Sequence, residues 1–191
     1  MTDAERPQVQ SWQLETSEEL YDCRIFRLRR DLARSEASGR QGQFFVLEAP
    51  DWVSIVPITA DGQVIFVEQF RHGSRSVSLE TPAGQVEPGE SVEAAAAREL
   101  REETGYSARS FVRLGQTYAN SAFMTNRFTA VLAEGVKLTD PTAWDDHEEL
   151  ALRLIPVTEV AGLLARGEVE NTSAALALSW FLLQRHGILP G

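Results

Sequence analysis

The sequence predicts an α/β fold preceded by a small N-terminal β segment. Three observations lead there. Apolar runs of strand length recur before and after residue 84, a glycine-rich turn opens an unbroken helical stretch, and the C-terminal end is helical throughout. With 191 residues, 43% hydrophobic and 24% charged, the composition is ordinary for a globular chain able to bury a core, so one domain with a small appendage is expected.

Residues 1–10 are polar and expected to be disordered, and residues 12–47 read as two or three short strands. These are LYDCRIFRLRRDLA and, after the polar connection SEASGRQG, QFFVLE. From Asp51 the pattern tightens. WVSIVPI and QVIFVEQF are strands separated by the turn signal Ala60-Asp61-Gly62, and Arg71 follows at once. Gly84, Pro88 and Gly89 then punctuate a turn. Ser91 is the expected helix N-cap, Glu93 sits where the helix dipole favours an anion, and no breaker occurs until Gly105. FVRLGQTY and NRFTAVLAE read as strands joined by residues 119–125. In the stretch VKLTDPTAWDDHEELALRLIPV, Asp145, Asp146, Glu148 and Glu149 crowd a loop before the alternating strand ELALRLI. TEVAGLLARGE is a short helix stopped by Gly167. NTSAALALSWFLLQRHG is a longer one capped by Asn171 or Thr172, with Ala174, Leu178, Phe181 and Leu182 recurring at core spacing. The chain shows no internal repeat.

The net charge of −10 argues against nucleic acid or an anionic membrane as the main partner. It leaves a phosphate substrate open, because a bound divalent ion reverses the local sign. Cys23 is the single cysteine, which rules out an internal disulfide and a cysteine-based zinc site, and it reads as packing filler. No apolar run reaches the roughly 18 residues that span a bilayer. The start MTDAERPQVQ has the wrong composition for a signal peptide, so a reduced, cytoplasmic setting is expected.

The helix after residue 91 carries the chemistry. At about 100° per residue, Val92, Ala95, Ala96, Glu99, Leu100 and Glu103 fall within roughly 140° of arc, so Glu99 and Glu103 continue the small apolar stripe that faces the protein body. Glu102 lies at its edge, and Arg98 and Arg101 point elsewhere. A solvated face is the usual reading of a charge run. It fits poorly here, since carboxylates at this spacing repel one another and an unpaired inward charge is costly. A hard divalent cation held by oxygen ligands would neutralise them, and magnesium is the usual choice beside phosphate.

Residues 84–106, GQVEPGESVEAAAARELREETGY, resemble the Nudix box. Gly84, Glu90, Arg98, Glu99, Leu100, Glu102, Glu103, Gly105 and Tyr106 fill every fixed place of that pattern. The resemblance implies an α/β/α Nudix sandwich with a central mixed sheet over residues 49–191, preceded by a small N-terminal β subdomain over residues 1–48. It further implies a magnesium-dependent hydrolase, manganese being a possible substitute, in which Glu99, Glu102, Glu103 and the Ala83 carbonyl hold metal. Gly84, Glu90 and Arg98 then hold the turn and helix in register.

The phrases VEQFR, LETPAG and ENTSAALALSWF are similar to ADP-ribose pyrophosphatases of the same family. That similarity implies that Arg71 touches substrate, that the catalytic base comes from the acidic loop, and that the N-terminal sheet builds a homodimer. The alternative for Arg71 is a surface arginine at a strand end. Trp52 either stacks on a base or closes the core, and Glu80 is either substrate-facing or structural. Within the loop, Glu148 and Asp146 align best with the catalytic positions, the assignment among Asp146, Glu148 and Glu149 stays open, and nothing singles out His147. One departure stands out: Ser121 replaces the subgroup's usual proline and Asn126 its glutamate, which weakens ADP-ribose as the specific substrate and leaves GDP-mannose-type nucleotide sugars open. The function expected is hydrolysis of a nucleoside diphosphate sugar to a nucleoside monophosphate and a sugar phosphate. The alternatives are another nucleotide, such as a dinucleoside polyphosphate or coenzyme A derivative, or a non-catalytic nucleotide-binding module. The last goes with eroded box glutamates, and this box is complete.

Overall fold

The computed structural model describes residues 9–144 and 149–188. The chain divides into two compact units, residues up to 50 together with Tyr118–Asn126, and Asp51–Thr117 together with residues from 127 on.

The first unit is a three-stranded antiparallel sheet in the order β1 (Trp12–Asp22), β2 (Arg27–Ser35), β3 (Gln41–Glu48). The run LYDCRIFRLRRDLA is broken by a tight turn in which the Cys23 N–H donates to the Phe26 carbonyl at 3.0 Å, so the expected two or three strands are three. No glycine, proline or asparagine marks that turn, so it left no signal in the sequence. Trp12 and Phe44 meet edge to face at 5.1 Å between ring centroids. The connection at 118–126 is tied back to β3: the Leu47 N–H donates to the Phe123 carbonyl at 2.7 Å, and the Thr125 N–H donates to the Leu47 carbonyl at 3.0 Å.

The second unit is an eight-stranded mixed sheet. Its strands are β4 (Trp52–Thr59), β5 (Gln63–Arg71), β6 (Ser76–Glu80), β7 (Ala83–Gln85), β8 (Tyr106–Ser107), β9 (Ser110–Tyr118), β10 (Arg127–Leu138) and β11 (Leu150–Pro156). The central path runs β11-β5-β4-β10-β8, and β4 and β10 are parallel. β4 and β5 pair only beside their turn, at Ile58 and Val64. Beyond it β4 takes β7 and β5 takes β6, so the segment from β6 to β7 enters between the two splayed strands.

Alternation along the central strands feeds two cores. Val56, Val64, Phe66, Phe128, Ala130 and Leu132 turn to one face and pack with α2 (Val160–Ala165) and α3 (Thr172–Arg185). Val53, Ile55, Ile65, Val131 and Ala133 turn to the other and pack with α1 (Val92–Thr104). Helices on both faces of a mixed sheet are the expected sandwich. Asn171 is the cap of α3, accepting from the N–H groups of Ser173 and Ala174, and Ala174, Leu178 and Phe181 are buried.

Two boundaries differ from expectation. β10 runs on through Leu138, four residues beyond Glu134 where the expected strand ended, and pairs there with β8. Gly135 makes this possible, at φ 64° in a bulge between Glu134 and Val136. The short helix near residue 160 is a single 3-10 turn, Val157–Glu159, leading into the six residues of α2. Among the described residues no helix is long and apolar enough to cross a membrane.

Candidate active site

Local signals place α1. The Ser91 hydroxyl accepts the Ala94 N–H at 3.1 Å, and Gly105 ends the helix at φ 75° with its N–H on the Arg101 carbonyl. Ala95, Ala96 and Leu100 are fully buried, and the small volume of the two alanines lets the helix lie close on the sheet. The stripe they define carries Glu99 and Glu103 inward with it, leaving Glu103 only 6% exposed.

Both carboxylates meet the backbone of β7. Glu103 Oε2 accepts the Ala83 N–H at 3.2 Å. The Glu99 carboxyl lies so close to Gly84 that a Cβ there would stand 1.9 Å from Glu99 Oε1, which explains the glycine without any demand on its φ. Arg98 ties the rest together. It donates to both oxygens of Glu90 at 3.1 and 3.0 Å, to the Gln85 carbonyl at 2.9 Å, to Glu99 at 2.7 Å and to Glu102 at 3.3 Å. Hydrogen bonding from Arg98 holds the Glu90 carboxyl below the ordinary carboxylate range. The same bonds, against an opposing effect of burial, raise Arg98 above the usual guanidinium value. One guanidinium thus faces three carboxylates.

Other expected residues fall into place around β5 and β6. Arg71, the last residue of β5, makes a two-pronged ion pair with Glu80 on β6, at 2.8 and 2.7 Å. Glu80 is 1% exposed, whereas the Arg71 side chain is 44% exposed, so a buried carboxylate aims a half-exposed guanidinium. Trp52 is half-buried at the start of β4, flanked by β7 and β10. Ser121 is exposed and Asn126 is buried, with its amide donating to the Pro50 carbonyl at 3.1 Å. Asp146, Glu148 and His147 lie outside the described residues, as does Asp145; Glu149 is exposed just before β11.

The NUDIX domain family model matches residues 50–176, two thirds of the chain. This chain belongs to the Nudix family. It is 29% identical over 155 residues to the ADP-ribose pyrophosphatase of Bacillus subtilis (strain 168), covering 81% of this chain and 82% of that protein. It is 32% identical over 161 residues to the ADP-ribose pyrophosphatase of Mycobacterium tuberculosis, covering 83% and 77%. Among solved structures, a crystal structure of an ADP compounds hydrolase superposes with a TM-score of 0.83 over 96% of this chain and 100% of that one, at 23% identity, a likeness of fold.

The donors of this Nudix helix suit a hard cation. Glu99, Glu102, Glu103 and the Ala83 carbonyl all carry oxygen donors, the kind that magnesium takes. As they stand, Glu99 and Glu102 turn to Arg98 and Glu103 turns to the Ala83 N–H. Among the described residues no three acidic, histidine or cysteine side chains gather in ligand geometry. Sequence reading passed over Trp144, which stands against the last turn of α1; its only signal was an aromatic side chain in an otherwise acidic loop.

Proposed function

We propose that this chain hydrolyses the pyrophosphate bond of a nucleoside diphosphate sugar of the ADP-ribose or GDP-mannose type, with magnesium, to a nucleoside monophosphate and a sugar phosphate. The observation that carries the reading is the pair of inward carboxylates, Glu99 and Glu103, set side by side against Ala83 and Gly84. The names of the relatives that match most of the chain, ADP-ribose pyrophosphatases, support the substrate class.

Glu99, Glu103, Glu102 and the Ala83 carbonyl would hold magnesium, with manganese as substitute. When bound, the ion supplies positive charge to the pyrophosphate oxygens and to the attacking water. A carboxylate of the acidic loop, Glu148 or Asp146 with Glu149 as third candidate, takes the proton of the water that attacks phosphorus. The bridging P–O bond breaks and the sugar phosphate leaves. Arg71, aimed by Glu80, pairs with phosphate or the terminal ribose, and Trp52 flanks the same strand ends. Arg98 and Glu90 fix the turn to the helix and leave Glu99 oriented along β7.

Residues 49–191 form the hydrolytic part, and the N-terminal sheet pairs two copies into a homodimer. Exposed Trp12, Leu14, Phe44 and Phe45 support that pairing, because such side chains are uncommon in a solvated sheet. The single free Cys23 supports a cytoplasmic setting. The test is turnover of ADP-ribose, GDP-mannose, ADP-glucose and UDP-glucose side by side, with magnesium and with chelator. Magnesium-dependent release of nucleoside monophosphate from at least one is expected; no turnover of any, with manganese also tried, overturns the reading.

A further inference from the structure

The C-terminal end of α1 is closed by a distant stretch of chain. A helix leaves its last four carbonyls without partners inside the helix. Here the Glu102 carbonyl accepts the Ala143 N–H at 2.8 Å, and the Glu103 carbonyl accepts the Trp144 indole N–H at 2.9 Å. Just beyond the helix, the Gly105 carbonyl accepts the N–H groups of Thr139 at 3.0 Å and Asp140 at 3.1 Å. Residues 139–144 therefore lie along the helix end, and two of the four bonds fall on the very residues whose side chains are the candidate metal ligands.

We infer that Trp144 is a positioning residue for hydrolysis. Its indole N–H pins the chain to the backbone of Glu103, a candidate metal ligand. Glu103 holds metal only in the hydrolytic reading, so this inference rests on that reading. Glu103 is thereby held at both ends: its carboxylate takes the Ala83 N–H of β7, and its carbonyl takes Trp144. Trp144 is 42% exposed, so its ring contributes little to the core, which separates a positioning role from a stabilising one. The indole is a single donor on a rigid ring with two side-chain torsions, suited to fixing a loop at small entropic cost.

The deciding variant is Trp144→Phe, which keeps the ring and removes the N–H. Steady-state kinetics on the wild type's preferred nucleoside diphosphate sugar, the melting temperature, and hydrogen–deuterium exchange over residues 139–144 are measured together. The expected result is a kcat lowered about ten-fold, the scale of losing a partner that orients a ligand. Substrate KM and melting temperature stay close to wild type, and exchange rises over 139–144 while staying unchanged across the β4 and β10 core. Exchange that rises with kcat intact overturns the role, leaving the bond merely structural. Exchange that does not rise overturns the anchor itself. A kcat loss matched by a falling melting temperature also overturns it. A wild-type chain inert on every substrate overturns the hydrolytic reading first, and the exchange data still decide whether Trp144 anchors the segment.

Discussion

The second unit's α1 and the first unit's sheet both bristle with arginine–carboxylate pairs, and they use them in opposite ways. On β1–β3 the pairs are nearly balanced: Arg34 with Glu15, Arg30 with Glu18, and Arg27 and Arg29 sharing Glu48. Most of these groups are substantially exposed, and such pairs contribute little to stability. Around α1 the balance fails. Along α1 four glutamates face two arginines: Arg98 meets Glu90, Glu99 and Glu102, Arg101 reaches Glu102 at 4.0 Å, and Glu103 is carried inward by the apolar stripe. Charges matched one to one on a surface need no further explanation, whereas an inward surplus of carboxylate makes chemical sense when a cation joins it.

Substitutions at the surplus should therefore be severe and those at the balanced pairs mild. Glu103→Gln keeps size and an acceptor for the Ala83 N–H but removes the charge. Its kcat is expected to fall about 100-fold or more, the cost of losing one charge-stabilising group at a reaction centre, with the melting temperature nearly unchanged; near-normal turnover would remove Glu103 from the site. Gly84→Ala comes next. The new methyl must displace the Glu99 carboxyl, a flexible side-chain end, so kcat should drop while circular dichroism and melting stay close to wild type.

Glu90→Gln sharpens the comparison through pH. The folded-state pKa of Glu90 is depressed by Arg98, so its contribution is present above the ordinary carboxylate value and is lost as pH falls through the lower folded value. The melting temperature of the variant should lie below wild type at neutral pH, and the gap should close below about pH 4. A gap that persists in acid would show that packing, not charge, accounts for it. Glu18→Ala, at a balanced and exposed pair, should alter neither kcat nor melting by more than a small amount.

Much of α1 was legible because its signals are local. A serine cap, a terminal glycine and an arc computed from residue spacing placed Glu99 and Glu103 inward before any tertiary contact was known. The two-face sheet was legible for the same reason, since alternation along β4, β5 and β10 is a property of neighbouring residues. What escaped depends on partners far along the chain. The Cys23 turn carries no turn residue, and the bulge at Gly135 extends β10 only because β8 is there to pair with it. The bonds from Leu47 to Phe123 and Thr125, and from Trp144 to Glu103, join residues separated by dozens of positions. Arg71 and Glu80 were each singled out, yet β5 and β6 set Glu80 opposite Val67 and Arg71 opposite Ser76, so the pair closes through the reach of two long side chains, which no single residue reveals.

Binding of manganese to the substrate-free protein, followed by electron paramagnetic resonance, tests most directly whether the carboxylate surplus of α1 holds a divalent ion. Wild type is compared with Glu99→Gln/Glu103→Gln, after melting shows that both are folded. Binding by wild type that the double variant loses is the predicted result. Equal titration curves for the two proteins would contradict it and place the ion, if any, elsewhere.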